Sequence, residues 1–261
     1  DLVSNVFYVI GSPQDDLIVG SSAATFEMFQ GLGGHDTLDG GPVDAVLFPS
    51  NSNRISYTLA ASGVDVDLQA GTAGGGAGND TLRNINQVRG SNSADTLRGS
   101  DDGVRAEQFD GRGGNDLIDG RGGVDIVRYE AAGSGVVLDL AAGTASDGQG
   151  GADTLLGIEG AFGGNHNDSL RGDDNANQLE GRLGDDTLMG GLGNDTLNGG
   201  DGIDWVSYAD AAGAVSVDLA AGTASGADGN DTLLGINRVR GSGFADQLTG
   251  STVFGNFEMF E

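Results

Sequence analysis

The chain has 261 residues, of which thirty-nine are acidic and twelve basic, every basic one an arginine, for a formal net charge of -27. That balance argues against nucleic acid or an anionic membrane surface as partner and makes cations the expected one. No cysteine is present, which excludes a disulfide framework and a thiolate metal site, and no apolar run reaches the ~18 residues of a membrane span. Fifty glycines would ordinarily suggest low complexity. Here, however, the acids stand singly at fixed spacing beside leucines rather than in runs, which favours sites over solvated charge.

Taken in order, the chain repeats itself. NVFYVIGSPQDDLIV from Asn5 aligns with NINQVRGSNSADTLR from Asn84 and with GINRVRGSGFADQLT from Gly235. The expected domains are the end of a truncated repeat over 1–10, superrepeats over 11–89, 90–162 and 163–240, and a truncated fourth over 241–261, all in one continuous solenoid. The chain opens at Asp1 inside a repeat and reads as part of a longer protein.

In the first superrepeat GSPQDDLIV, an expanded GSSAATFEMFQ, GLGGHDTLD and a shortened GGPVDAVLF place Asp16, Glu27, Asp36 and Asp44. The second places Asp95, Glu107 in another expanded unit, Asp116 and Asp125. The third holds the regular stretch 163–207, where the nonapeptides GGNHNDSLR, GDDNANQLE, GRLGDDTLM, GGLGNDTLN and GGDGIDWVS put Asp168, Asn177, Asp186, Asp195 and Asp204 nine residues apart. The fourth begins with Asp246 and reaches Glu258. Between these lie β-rich segments starting at Val64, Val136 and Val215, each an alternating Val/Leu strand, an AGTA turn and a return to Asp80, Asp153 or Asp231.

Two places after each acid of the regular stretch comes one apolar residue, so each unit reads as a very short strand with its leucine turned inward. The glycine-rich half is the turn. Glycine tolerates positive φ and close backbone approach, so GGxGx can bring several carbonyl oxygens and one carboxylate to a point, and hard oxygens converging on a point suit a hard cation. Helix patterns are broken by glycine everywhere, and the prolines at 13, 42 and 49 sit at turns or strand ends, so the fold class is all-β.

At these residues the chain resembles the repeat-in-toxin (RTX) family, whose GGxGxDxUx nonapeptide is a calcium-binding β-helix repeat. The resemblance implies a right-handed parallel β-solenoid, the β-roll, with two nonapeptides per coil, stacked turns sharing several Ca²⁺ ions, and a leucine-lined interior that continues through the β-rich segments. Residues eighteen apart then share a side, so Asp168, Asp186 and Asp204 form one column, and Asn177 with Asp195 another. The expected metal ligands are Asp16, Asp36, Asp44, Asp80, Asp95, Asp116, Asp125, Asp153, Asp168, Asn177, Asp186, Asp195, Asp204, Asp231 and Asp246. Asn177 offers a neutral oxygen and therefore a weaker or different site. In the expanded units Glu27, Glu107 and Glu258 stand where the third superrepeat has Asn177, with a distorted turn as good a reading as an ion site.

Other motifs carry less. Asp67, Asp139 and Asp218 precede leucine in the β-rich segments and read as solvent-facing strand positions, because no carbonyl-rich glycine turn adjoins them. Both histidines, His35 and His166, lie at turn positions, and HExxH, GxSxG, GxGxxG and a P-loop lysine are all missing, so no enzyme is expected. The tripeptide Arg171-Gly172-Asp173 falls where two nonapeptides join, and the N-x-S/T sequons follow from the motif's own N-D-T and N-D-S. The EF-hand-like start Asp173-x-Asn175-x-Asn177 fails, with Gln178 at the turn glycine. The expected function is that of a calcium-binding repeat region of a larger secreted bacterial protein, folding outside the cell on Ca²⁺ and acting as a spacer in an adhesin or surface protein. The alternative is a carbohydrate-binding or secretion-helper module of a secreted enzyme. A glycan or cell-surface component is the candidate macromolecular partner.

Overall fold

The computed structural model describes residues 7–21, 26–41, 52–103, 105–250 and 259–260. Among them every regular element is a strand, and most strands are three or four residues long. This length follows from the sequence: a nonapeptide gives about half its residues to the turn, leaving room for one inward side chain per strand. Two compact units are present, one made of residues 1–126 and 151–158, the other of 127–150 and 159–261.

In the second unit the regular nonapeptides fall alternately into two sheets. Strands Ser169–Arg171, Thr187–Met189, Trp205–Ser207 and Arg238–Arg240 pair side by side in one, all parallel. Gly160–Phe162, Gln178–Leu183, Thr196–Asp201 and Gly229–Leu234 do the same in the other. The registers align the apolar positions, Leu170 with Leu188 and Val206, and Leu179 with Leu197 and Leu233. Leu170, Leu179, Leu188, Leu197 and Val206 are wholly buried. Each such side chain contributes about 1.5–3 kcal/mol by leaving water.

The first unit has the same plan with heavier side chains. Val9, Phe29, Ile55, Val88 and Phe109 align in one parallel ladder. Ile18, Leu38 and Leu82 align in the other, and so do Val66, Leu97, Ile118 and Leu155. The all-β, parallel-sheet β-roll architecture expected from the repeats is therefore what the chain adopts.

The β-rich segments depart from the expected continuous coil. Val64–Asp67, Thr72–Gly75 and Asp80–Arg83 form an antiparallel meander, with Val66 opposite Ala73 and Ala73 opposite Asp80. Its outer strands join the parallel ladders through Thr37–Asp39 and Thr96–Arg98. Val215–Asp218, Thr223–Gly226 and Gly229–Leu234 repeat the arrangement in the second unit. A hairpin needs a tight reversal, and the AGTA glycines Gly71 and Gly222 supply it at φ +67. Asp67 and Asp218 accept the turn amides of Ala70 and Ala221, and Asp139 accepts that of Ala142 in the hairpin between. These three aspartates are turn caps, and Asp67 and Asp139 also pair with Arg121 and Arg171.

Candidate metal centre

The acids that open each strand stand directly above one another. In the second unit the Asp168 amide donates to Asp186 Oδ1 at 2.7 Å, the Asp186 amide to Asp204 Oδ1 at 2.9 Å, and the Asp204 amide to Asn237 Oδ1 at 2.9 Å. A second column runs from Asn177 to Asp195 and on to Asp231, at 2.9 and 3.1 Å. In the first unit Asp16, Asp36 and Asp80 form one column, and Asp95, Asp116 and Asp153 another. Each carboxylate below the head of its column thus spends Oδ1 on the amide of the preceding rung, a bond that fixes its orientation and frees Oδ2 for something else.

What Oδ2 meets divides the set. At the head of the columns it folds back on its own turn: Asp95 on the amide of Ser91, Asp168 on that of Gly164, with Asp16 and Asp246 doing likewise at Ser12 and Ser242. Glu107 caps Ser100 through both its amide and hydroxyl, and Glu27 caps the Ser21 amide. Asn177 uses its amide oxygen on the Asp173 amide and its nitrogen on the Glu159 carbonyl. At the inner rungs Asp36, Asp186, Asp195 and Asp204 are at most 2 % exposed, and their Oδ2 atoms have no hydrogen-bond partner. At the tails of two columns Oδ2 of Asp80 and of Asp231 accepts a tyrosine hydroxyl, from Tyr57 and Tyr208.

A buried carboxylate oxygen without a partner is costly, and the charge responds. Burial, reinforced by Asp168, Asp204 and Asp185, pushes the Asp186 carboxyl up to about 7. Burial with Asp231, Asp173 and Asp228 does the same to Asp195, also to about 7. Asp36 and Asp204 are raised for the same reason.

The turn glycines form the other wall. A Cβ on Gly31, Gly181 or Gly190 would overlap Oδ2 of Asp36, Asp186 or Asp195. At Gly181 it would also lie 2.7 Å from the carbonyl oxygen of Gly199, on the next rung. At Gly181 only glycine leaves space where the carboxylate oxygen of Asp186 and the carbonyl of Gly199 come together. No three His, Cys, Asp or Glu side chains converge among the described residues. A cation held here would have one carboxylate per turn and backbone oxygens for the rest, a donor set of hard oxygens that fits calcium.

Of the sequence-predicted ligands, Asp36, Asp186, Asp195 and Asp204 keep a buried Oδ2 without a hydrogen-bond partner. Asp16, Asp95, Asp168 and Asp246 cap their own turns. Asp80 and Asp231 meet tyrosine. Asp116, Asp125 and Asp153 stand in columns through the bonds of Asp95, Glu107 and Asp116. Asp44 and Glu258 lie outside the described residues. Sequence reasoning missed the column ends Tyr57, Tyr208 and Asn237. The signals were present, in the recurring ISY, VRY and VSY triplets and in the aligned NINQVRG and GINRVRG runs.

A family model for the RTX calcium-binding nonapeptide repeat matches in four copies, over residues 27–42, 103–131, 162–197 and 171–206. These include the turns of Asp36, Asp116, Asp186, Asp195 and Asp204. A comparison with curated proteins found no match.

Proposed function

The chain carries RTX calcium-binding nonapeptide repeats, and on that premise we propose that it serves as a calcium-hardened spacer in a larger surface or adhesin protein, folding outside the cell. RTX repeats bind multiple calcium ions and occur in secreted bacterial proteins, which supports calcium as the ligand and secretion as the setting. The observation that supports an ion-driven fold is the set of buried, partnerless Oδ2 atoms of Asp36, Asp186, Asp195 and Asp204. Bound calcium supplies positive charge and accepts six to eight oxygen ligands. Without a cation these carboxylates lie buried in register with a like charge on at least one neighbouring rung, and the glycine turns around them lose more backbone entropy on ordering than any other residue. With the charge met, the leucines stack beneath the turns. Short rungs repeated in register suit a structural element whose length is set by repeat number.

The test is a circular dichroism titration of the ion-stripped chain with Ca²⁺, with Mg²⁺ as control. A cooperative coil-to-β transition with Ca²⁺ alone is expected, since Mg²⁺ holds its waters and demands a stricter octahedron. A chain already β-folded without Ca²⁺ and unmoved by it would reduce the aspartates to turn formers. A glycan array on the loaded chain then addresses the spacer role, for which no glycan should be retained.

A further inference from the structure

The two columns that end at Asp80 and Asp231 end alike. Asp80 Oδ1 takes the Asp36 amide at 3.1 Å and its Oδ2 takes the Tyr57 hydroxyl at 3.0 Å. Asp231 Oδ1 takes the Asp195 amide at 3.1 Å and its Oδ2 takes the Tyr208 hydroxyl at 2.7 Å. Both tyrosines and both aspartates are at most 4 % exposed. The two pairs lie in different units and share a sequence separation of 23 residues. One rung earlier in each column, Asp36 and Asp195 have the same Oδ1 bond and an Oδ2 with no partner. The difference between Asp36 and Asp80, and between Asp195 and Asp231, is therefore the phenol.

A phenol O–H pointed at Oδ2 places a proton where a cation would need a lone pair, and it satisfies the oxygen whose lack of a partner draws the ion elsewhere. The place of the next glycine turn is also taken. Beside Asp80 and Asp231 stand Ala73 and Ala224 of the antiparallel meander, so no following nonapeptide presents its carbonyls there. We propose that Tyr57 and Tyr208 plug with their hydroxyls the seats that Asp80 and Asp231 would otherwise offer, so that these columns end without calcium and are fastened there independently of the ion. The inference rests on the calcium reading above and adds to it which members of the motif stay empty.

Bound calcium per chain, measured by equilibrium dialysis of the full chain, tests it on the wild type, the double variant Asp80→Asn/Asp231→Asn, and Asp186→Asn. The double variant is expected to bind as many ions as the wild type, with affinity changed less than about twofold, while Asp186→Asn binds at least one fewer. Loss of ions from the double variant, matching that from Asp186→Asn, would overturn the plug alone. A wild-type chain that binds no calcium would bring down the calcium reading and the plug with it. Should the double variant not fold, anomalous scattering from crystals of the calcium-loaded wild type decides. Peaks beside Asp186 and Asp195 with none at Asp80 and Asp231 support the plug; a peak at either of the latter overturns it.

Discussion

Asp186 and Asp67 carry the same carboxylate and put it to opposite use. Asp67 meets the Arg121 guanidinium with both oxygens, at 3.0 and 2.6 Å, and that pairing holds its carboxyl below the usual range. Asp186 keeps one oxygen buried and bare, and its carboxyl rises to about 7. The folded ion-free chain therefore holds protons at Asp186 and Asp195 that the unfolded chain releases near pH 4, so stability present at acid pH is lost as pH rises through about 7. In calcium-free buffer the residual β signal should be larger at about pH 5 than at about pH 8, and saturating calcium should remove or reverse that order; a β signal that grows with pH without calcium would contradict the open seats. The sequence distinguished these residues by their neighbours, since a glycine-rich turn precedes Asp186 and none precedes Asp67. It did not reveal which Asp members were closed, because a plug such as Tyr208 comes from 23 residues away and leaves no mark on the motif itself.

At the scale of the element, glycines that look alike in sequence do different work. A Cβ at Gly181 would overlap Asp186 Oδ2 and press on the Gly199 carbonyl, whereas a Cβ at Gly33 would meet nothing within 4 Å. Gly181→Ala should destabilise the calcium-loaded fold by about 1–3 kcal/mol, as overpacking does. Gly33→Ala should change it by less than about 0.5 kcal/mol, read as the shift in denaturation midpoint at fixed calcium. Equal effects would mean that the turn glycines serve backbone conformation alone. The strands were legible as well, down to Leu188 pointing inward, because the two-residue alternation fixes the face. It does not fix direction: VDVDL from Val64 reads the same whether its neighbour runs parallel or antiparallel. The reversal was written in the AGTA turn, where Gly71 takes φ +67 and Asp67 caps the Ala70 amide, a local signal that the expectation of a continuing coil outweighed.

For the molecule as a whole, a net charge of -27 makes compaction a matter of cations, and the repeat spacing announced as much. The division into two compact units, which falls within residues 90–162, was not legible, because it depends on which strands adjoin rather than on any change in composition. The columns carry one further property, a timetable. Rungs that meet in Asp168, Asp186 and Asp204 are 18 residues apart along the chain, whereas Asp36 must find Asp80 across 44. Closing the longer loop costs about 0.8 kcal/mol more, from the logarithmic growth of closure entropy. Short-range contacts of this kind also form first in folding generally. After rapid mixing with calcium, pulse-labelled hydrogen exchange should find the Asp186 amide protected before that of Asp36, and the reverse order would refute it. On addition of calcium the regular stretch would set early, and the meander joins would close behind it.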